Sequence, residues 1–135
     1  SGLGGIGTVI HETGHLIGLP DLYNTTNGGL TDPVAAWDLM AAGNFFSPET
    51  PASLGAWSRW AVGWAVVQPV VIPDSTNRVV ADSLGNGITT GRIGRISLPG
   101  TSQFLLVETR EQTANDAALP GEGLLVWRIN PEVTS

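Results

Sequence analysis

The sequence predicts an α+β fold, with a helical, loop-rich first part and a β-rich second part. Three observations carry that expectation. Apolar residues recur at Ile6, Val9, Ile10, Leu16 and Ile17, the three-and-four spacing of an amphipathic helix. A second such run, with Leu54, Trp57, Trp60 (or Ala61) and Trp64 on one face, lies within "TPASLGAWSRWAVGW" (50–64). From Ala65 onward the chain turns into short β-rich runs parted by Gly, Pro, Asn and Asp. The 135 residues, 41% of them hydrophobic, amount to one domain or a piece of a larger one. Eighteen Gly and nine Pro favour short elements and many turns over a helical bundle.

Taken in order, the first helix is expected from Ile6. Gly7 and Gly14 lie inside it and Gly4 and Gly5 just before it, and a Gly within a helix costs about 1 kcal/mol against Ala, so packing must hold it. Gly18 is placed to end it in the left-handed conformation, and Pro20 prevents resumption. Residues 19–50 read as a long loop, with Asn-Gly-Gly, Asp-Pro and Ser-Pro turn signals. Loops of that length inside compact domains are usually functional or stapled by an ion. The second helix is predicted over 50–64, with Thr50 as N-cap and Pro51 at its first position. "AVVQPVVI" (65–72), "NRVVAD" (77–82), "GRIGRISL" (91–98), "QFLLVETR" (103–110) and "GLLVWRIN" (123–130) are then expected to form an antiparallel set. The division falls into 1–64 and 65–135.

Composition excludes several classes of function. Net charge is −6, with six Arg and no Lys, and an acidic chain without a basic cluster does not suit nucleic acid or an anionic membrane surface. Without Cys there are no disulfides or thiolate metal sites, which leaves His and carboxylate as metal ligands. "AVGWAVV" (61–67) is far too short to span a membrane. Neither Ser1 nor the closing "NPEVTS" looks like a natural terminus, so a fragment of a larger protein is expected, and the lack of a visible signal peptide says little.

The chemistry concentrates in "HETGHLIGLPD" (11–21), which holds both histidines of the chain. Side chains at i and i+4 of a helix stand one above the other, about 5–6 Å apart at Cβ, so His11 and His15 can aim their rings at one point. Zinc takes imidazole nitrogens at about 2.0–2.1 Å in a tetrahedron, and a catalytic site adds one more protein ligand and leaves the fourth place to water. Gly18 lets the chain reverse, and Asp21 can return a carboxylate to that point; its other reading is an ordinary Pro-Asp turn. Glu12 lies about 100° round the helix from His11, beside the ligand row. There it can take a proton from an attacking water and pass it to a leaving amine.

These residues resemble the metzincin-type zinc peptidases, and specifically the immune inhibitor A family of bacterial secreted proteases. Its HExxHxxGxxD motif, usually continued as GLPDxY, stands here as His11, Glu12, His15, Gly18 and Asp21, with "GLPDLY" at 18–23. "WDLMAAG" (37–43) is similar to the family's segment around the Met beneath the zinc, and "PASLGAWSRWAVGW" (51–64) to its next helix. "FLLVETR" (104–110) and "LPGEGLLVWRIN" (119–130) resemble the β segments that follow its catalytic core.

The resemblance implies a zincin-like catalytic helix, a Met-turn and a second helix in 1–64, the C-terminal part of a catalytic domain, with 65–135 as the β-rich segment behind it. It implies zinc on His11, His15 and Asp21, Glu12 as general base and Met40 as the hydrophobic floor, although a plain core Met is the alternative for Met40. It also implies secretion and a protein or peptide substrate. Departures are Asn24 where many relatives have Asp, and Trp127-Arg128-Ile129-Asn130 where they often have WHID. Tyr23 is either a hydrogen-bond donor to the developing oxyanion or a packed turn aromatic. Asp32 and Asp38 are candidates for Ca²⁺, or else a turn residue and a structural Asp.

The expected function is a zinc-dependent endopeptidase. The alternatives are a non-catalytic or decayed peptidase-like binding module, and another zinc hydrolase built on the same helix. Only ten residues precede His11, which leaves no room for the sheet whose edge strand would hold an extended substrate, so these residues alone are expected to be an incomplete enzyme.

Overall fold

Helix α1 (Ile6–Leu16) opens the computed structural model, which describes residues 5–24, 32–47, 49–70 and 87–133. Gly18 follows it at φ +93°, and the N–H groups of Ile17 and Gly18 bond the carbonyls of Gly14 and His15, closing the last turn as expected. The buried face of α1, however, is not the apolar stripe. Gly7, His11 and Gly14 point inward, whereas Ile6, Val9, Ile10, Leu16 and Ile17 are 39 to 85% exposed. Close approach explains the reversal: a Cβ on Gly7 would lie 2.1 Å from the Asn44 carbonyl oxygen, and one on Gly14 2.4 Å from Met40 Sδ. The glycines that weaken the helix are what let it sit down on the segment beneath. Gly7→Ala is therefore expected to destabilise the protein by about 1–3 kcal/mol, because the obstructing atom is backbone; chemical denaturation reads this, and an unchanged midpoint would contradict the packing.

The loop after Gly18 is held by short elements: a 3₁₀ turn (Ala35–Trp37) and helix α2 (Gly43–Phe46), with Leu39, Met40 and Ala41 buried between them. Helix α3 (Ala56–Ala61) is six residues long, not the fifteen expected, and Thr50 does not cap it. Tertiary partners take the N–H groups that a longer helix would need: Ala52 bonds the Gly43 carbonyl and Ser53 bonds Asp116 Oδ1. The caps also come from afar, Asp38 Oδ2 on Gly55 N and Ser58 Oγ, and Glu108 Oε1 on Ala56 N. Trp57 and Trp60 pack on the core, whereas Trp64 lies past the helix and is exposed.

Four strands follow, β1 (Val66–Pro69), β2 (Arg92–Ser97), β3 (Phe104–Arg110) and β4 (Gly123–Ile129), with helix α4 (Gly87–Thr90) before β2 and a 3₁₀ turn (Ala114–Ala118) before β4. Their order is β1-β2-β3-β4. The last three are antiparallel as expected, but β1 pairs parallel to β2, so the sheet is mixed. A parallel neighbour needs a crossover of a dozen or more residues, and the chain between Pro69 and Arg92 is long enough to make one. The predicted strand "NRVVAD" (77–82) lies outside the described residues. Ala56, Ile93, Phe104 and Leu106 form the buried cluster, with Trp57, Trp60, Ala65, Trp127 and Ile129 packed against it, so α3 and the sheet share one core. Among the described residues no helix is long and apolar enough to cross a membrane.

Beneath that core runs a buried ionic network. Glu108, fully buried on β3, accepts from Arg59, Ala56 N and Trp127 Nε1. Arg110, equally buried, bonds Asp116 Oδ2 at 2.8 Å and donates to the carbonyl of Trp37. These ties fasten the loop that carries Met40 to the sheet.

Candidate metal centre

His11 and His15 stand one turn apart on α1, their rings edge to face at 4.8 Å between centroids. The reversal at Gly18 brings Asp21 back over them, and Leu22 N donates to the Met40 carbonyl, which pins the returning turn. Asp21 Oδ1 ends 3.0 Å from His11 Nε2 and 3.4 Å from His15 Nε2. A tetrahedron with bonds of about 2.0–2.1 Å has edges of about 3.3–3.4 Å, so the two distances to the Asp21 oxygen are close to those of a zinc shell. Glu12 is the rival carboxylate: it is exposed, and its ligand atom lies within 4.8 Å of those of the two histidines. The shorter approach favours Asp21 as the third donor and leaves Glu12 alongside.

The far sides of the rings are held by carbonyls. Leu19 O lies 2.8 Å from His15 Nδ1, and since a carbonyl only accepts, that nitrogen carries the proton and Nε2 keeps its lone pair. His11 Nδ1 meets two groups, Leu39 O at 2.9 Å and Asn44 Nδ2 at 2.8 Å. With the ring proton on Nδ1 it bonds Leu39 O, and then two imidazole lone pairs and a carboxylate oxygen face one point without a donor between them. A cation would satisfy such a set, and nitrogen with carboxylate is a donor set that zinc accepts.

Met40 is fully buried under α1, its sulfur against Gly14, and Leu39 beside it supplies the carbonyl on His11. His11 is 4% exposed, whereas His15 and Asp21 remain partly open, so the point they share is reached from the side of those two residues. Tyr23 stacks on the His11 ring, 6.4 Å between centroids and 18° between planes. Burial, then a hydrogen bond with Asp21 and the charges of Asp21 and Glu12, raise its phenol above the ordinary tyrosine range, so it stays a donor.

Asp38 and Asp32 are spent elsewhere. Asp38 Oδ1 accepts from Met40 N, and Oδ2 accepts from Gly55 N and Ser58 Oγ. Burial raises its carboxyl above the ordinary aspartate range, against the downward pull of those donors and of Arg110. Asp32 Oδ1 accepts from Val34 N and Ala35 N, a side-chain turn. Neither carboxylate supports a calcium site. Sequence reasoning missed Asn44, and its signal was a single amide in the otherwise apolar run Met40–Phe46.

Residues 2–68 match the family model described as "Immune inhibitor A peptidase M6, catalytic domain". Over those residues the chain matches the immune inhibitor A peptidase family. Among relatives, it is 38% identical over 55 residues to the pre-pro-metalloprotease PrtV of Vibrio cholerae serotype O1, a match that takes in 41% of this chain and 6% of that protein. It is 43% identical over 42 residues to immune inhibitor A of Bacillus thuringiensis subsp. alesti, which takes in 31% of this chain and 6% of the relative. No solved structure matches. The immune inhibitor A match ends at residue 68, within β1, so it takes in the histidine helix, the Asp21 turn, Met40 and α3.

Proposed function

We propose that this chain carries the metal centre of a zinc-dependent endopeptidase. Residues 1–64 would be the C-terminal part of a zincin-like catalytic domain, and 65–135 the β-rich segment behind it. The observation that supports this best is the approach of Asp21 Oδ1 to both His11 Nε2 and His15 Nε2, at 3.0 and 3.4 Å, with the Glu12 carboxylate at their side. Zn²⁺ held by those three would polarise the scissile carbonyl and bring the pKa of a water down to roughly 7.

The chain's own residues do the rest. Glu12, exposed and off the ligand row, takes the proton of the attacking water and hands it to the leaving amine nitrogen. The Leu19 and Leu39 carbonyls hold the two rings, and Met40 with Gly14 forms the floor that keeps α1 at its depth. Tyr23, stacked on the His11 ring, backs that histidine. A protein or peptide substrate and an extracellular setting are part of the proposal, supported by the relatives' names as metalloprotease and immune inhibitor. An intact donor set with Glu12 beside it favours catalysis over a decayed binding module.

In the full-length protein, casein cleavage should disappear on chelation and return with zinc. Asp21→Ala should weaken zinc binding strongly and Asp21→Asn less, because the amide keeps an oxygen but loses the charge. Cleavage indifferent to chelation would overturn the reading, and unchanged zinc affinity in Asp21→Ala would return Asp21 to a turn role.

A further inference from the structure

A groove of about 570 Å³ is shared by the turn that follows Asp21 and the last strand of the sheet. From the metal-bearing part of the chain Leu22, Val34 and Trp57 line it, and Leu22 is joined directly to the proposed zinc ligand Asp21. From the sheet come Val126, Trp127, Arg128 and Ile129, four successive residues of β4. Successive side chains of a strand point to opposite faces, so four in a row line one groove only where it runs along the strand's edge. That edge is open. β4 stands last in the sheet order, and among the described residues its backbone bonds β3 alone.

Two charged side chains border the groove, Asp38 and Arg128. Asp38 is 1% exposed, and its oxygens are taken by Met40 N, Gly55 N and Ser58 Oγ. Arg128 is exposed; its Nε donates to Gln103 Oε1 at 2.8 Å, and among the described residues no carboxylate pairs with its guanidinium. Arg59 and Arg110, by contrast, are both spent on Glu108. In a chain with twelve acidic residues against six Arg, the groove thus offers an uncompensated positive charge beside apolar side chains. Its complement is an extended backbone that pairs with the open N–H and C=O groups, with apolar side chains and one carboxylate.

We propose that the open edge of β4 docks an extended segment of the protein substrate, which adds to the sheet as a further strand and sets an acidic side chain against Arg128. The proposal rests on the endopeptidase reading above and adds to it a feature of the substrate, an Asp or Glu among apolar residues. Continuity favours the substrate as the occupant, because the groove begins at Leu22, one residue from the centre where the cut would be made.

The test uses the full-length protein carrying Glu12→Ala, which leaves a bound peptide uncut, and a labelled peptide of alternating Val and Thr with one central Glu. Fluorescence anisotropy reads the binding. The same peptide with Lys at its centre should bind about tenfold more weakly, and adding Arg128→Glu, at an exposed position, should reverse that order. Methylating alternate N–H groups of the peptide should abolish binding in one of the two alternations without changing a side chain, because strand addition needs one edge of the peptide. In the active parent the Glu peptide should compete with casein. Equal binding of the Glu and Lys peptides, an order unchanged by Arg128→Glu, or binding that survives both methylations would each overturn the docking site. Binding without competition would assign the groove to another partner and overturn the substrate as its occupant. A parent that cleaves casein while its Glu12→Ala variant binds neither peptide would overturn this proposal alone. A parent that cleaves nothing would remove the endopeptidase reading, and this one with it.

Discussion

Glu12→Ala is expected to keep its zinc and lose nearly all turnover. Glu12 sits on α1 between the two histidines in sequence but off their row, exposed, with its carboxylate within 4.8 Å of their donor atoms. The ligand shell is complete without it if Asp21 is the third donor, so metal content should stay at the parental value. Proton transfer by a placed carboxylate contributes typically about 10²–10⁴-fold, and the variant should fall by that factor in casein cleavage. Turnover near the parent's would make Glu12 an ordinary helix residue. Loss of zinc would make it a ligand in place of Asp21, the arrangement that its nearness leaves as the rival.

The second large effect lies far from the metal. Glu108→Ala should destabilise the protein by about 3–5 kcal/mol, because removing one member of a buried ionic group strands its partners without water. Arg59 would lose this carboxylate, and Ala56 N and Trp127 Nε1 would lose their acceptor. Arg110 keeps Asp116, which confines the damage to the α3 side of the network. Because α3 and the Met40 segment are both fastened by Asp38, zinc affinity should fall only once the structure begins to open. Urea unfolding reads the effect, and a loss below about 1 kcal/mol would mean that the site relaxes or that water enters it.

What the sequence made legible follows from which interactions are local. The helix, its end at Gly18 and the pairing of His11 with His15 are all set within a few residues of one another, and the structure has them where the spacing puts them. The buried face of α1 was not legible, because the exposed stripe is the more apolar one. The helix is packed instead by the closeness that Gly7 and Gly14 permit to Asn44 and Met40, partners at least twenty-six residues away. The start of α3 was misplaced because its caps come from Asp38 and Glu108 and not from Thr50. The parallel pairing of β1 with β2 has no local signal, since period alone says nothing of a neighbour's direction. At the site, spacing singled out Asp21 and Glu12, but the Leu19 and Leu39 carbonyls carry no side-chain signature.

The central claim is that His11, His15 and Asp21 hold one zinc ion. Anomalous diffraction at the zinc edge, from crystals of the full-length protein grown with Zn²⁺ and without chelator, tests it directly. The expected result is one peak at this site, with Nε2 of His11 and His15 at about 2.0–2.1 Å and an Asp21 oxygen at about 2.0–2.2 Å. A peak held by Glu12 instead of Asp21, or no peak between the two histidines, would contradict it.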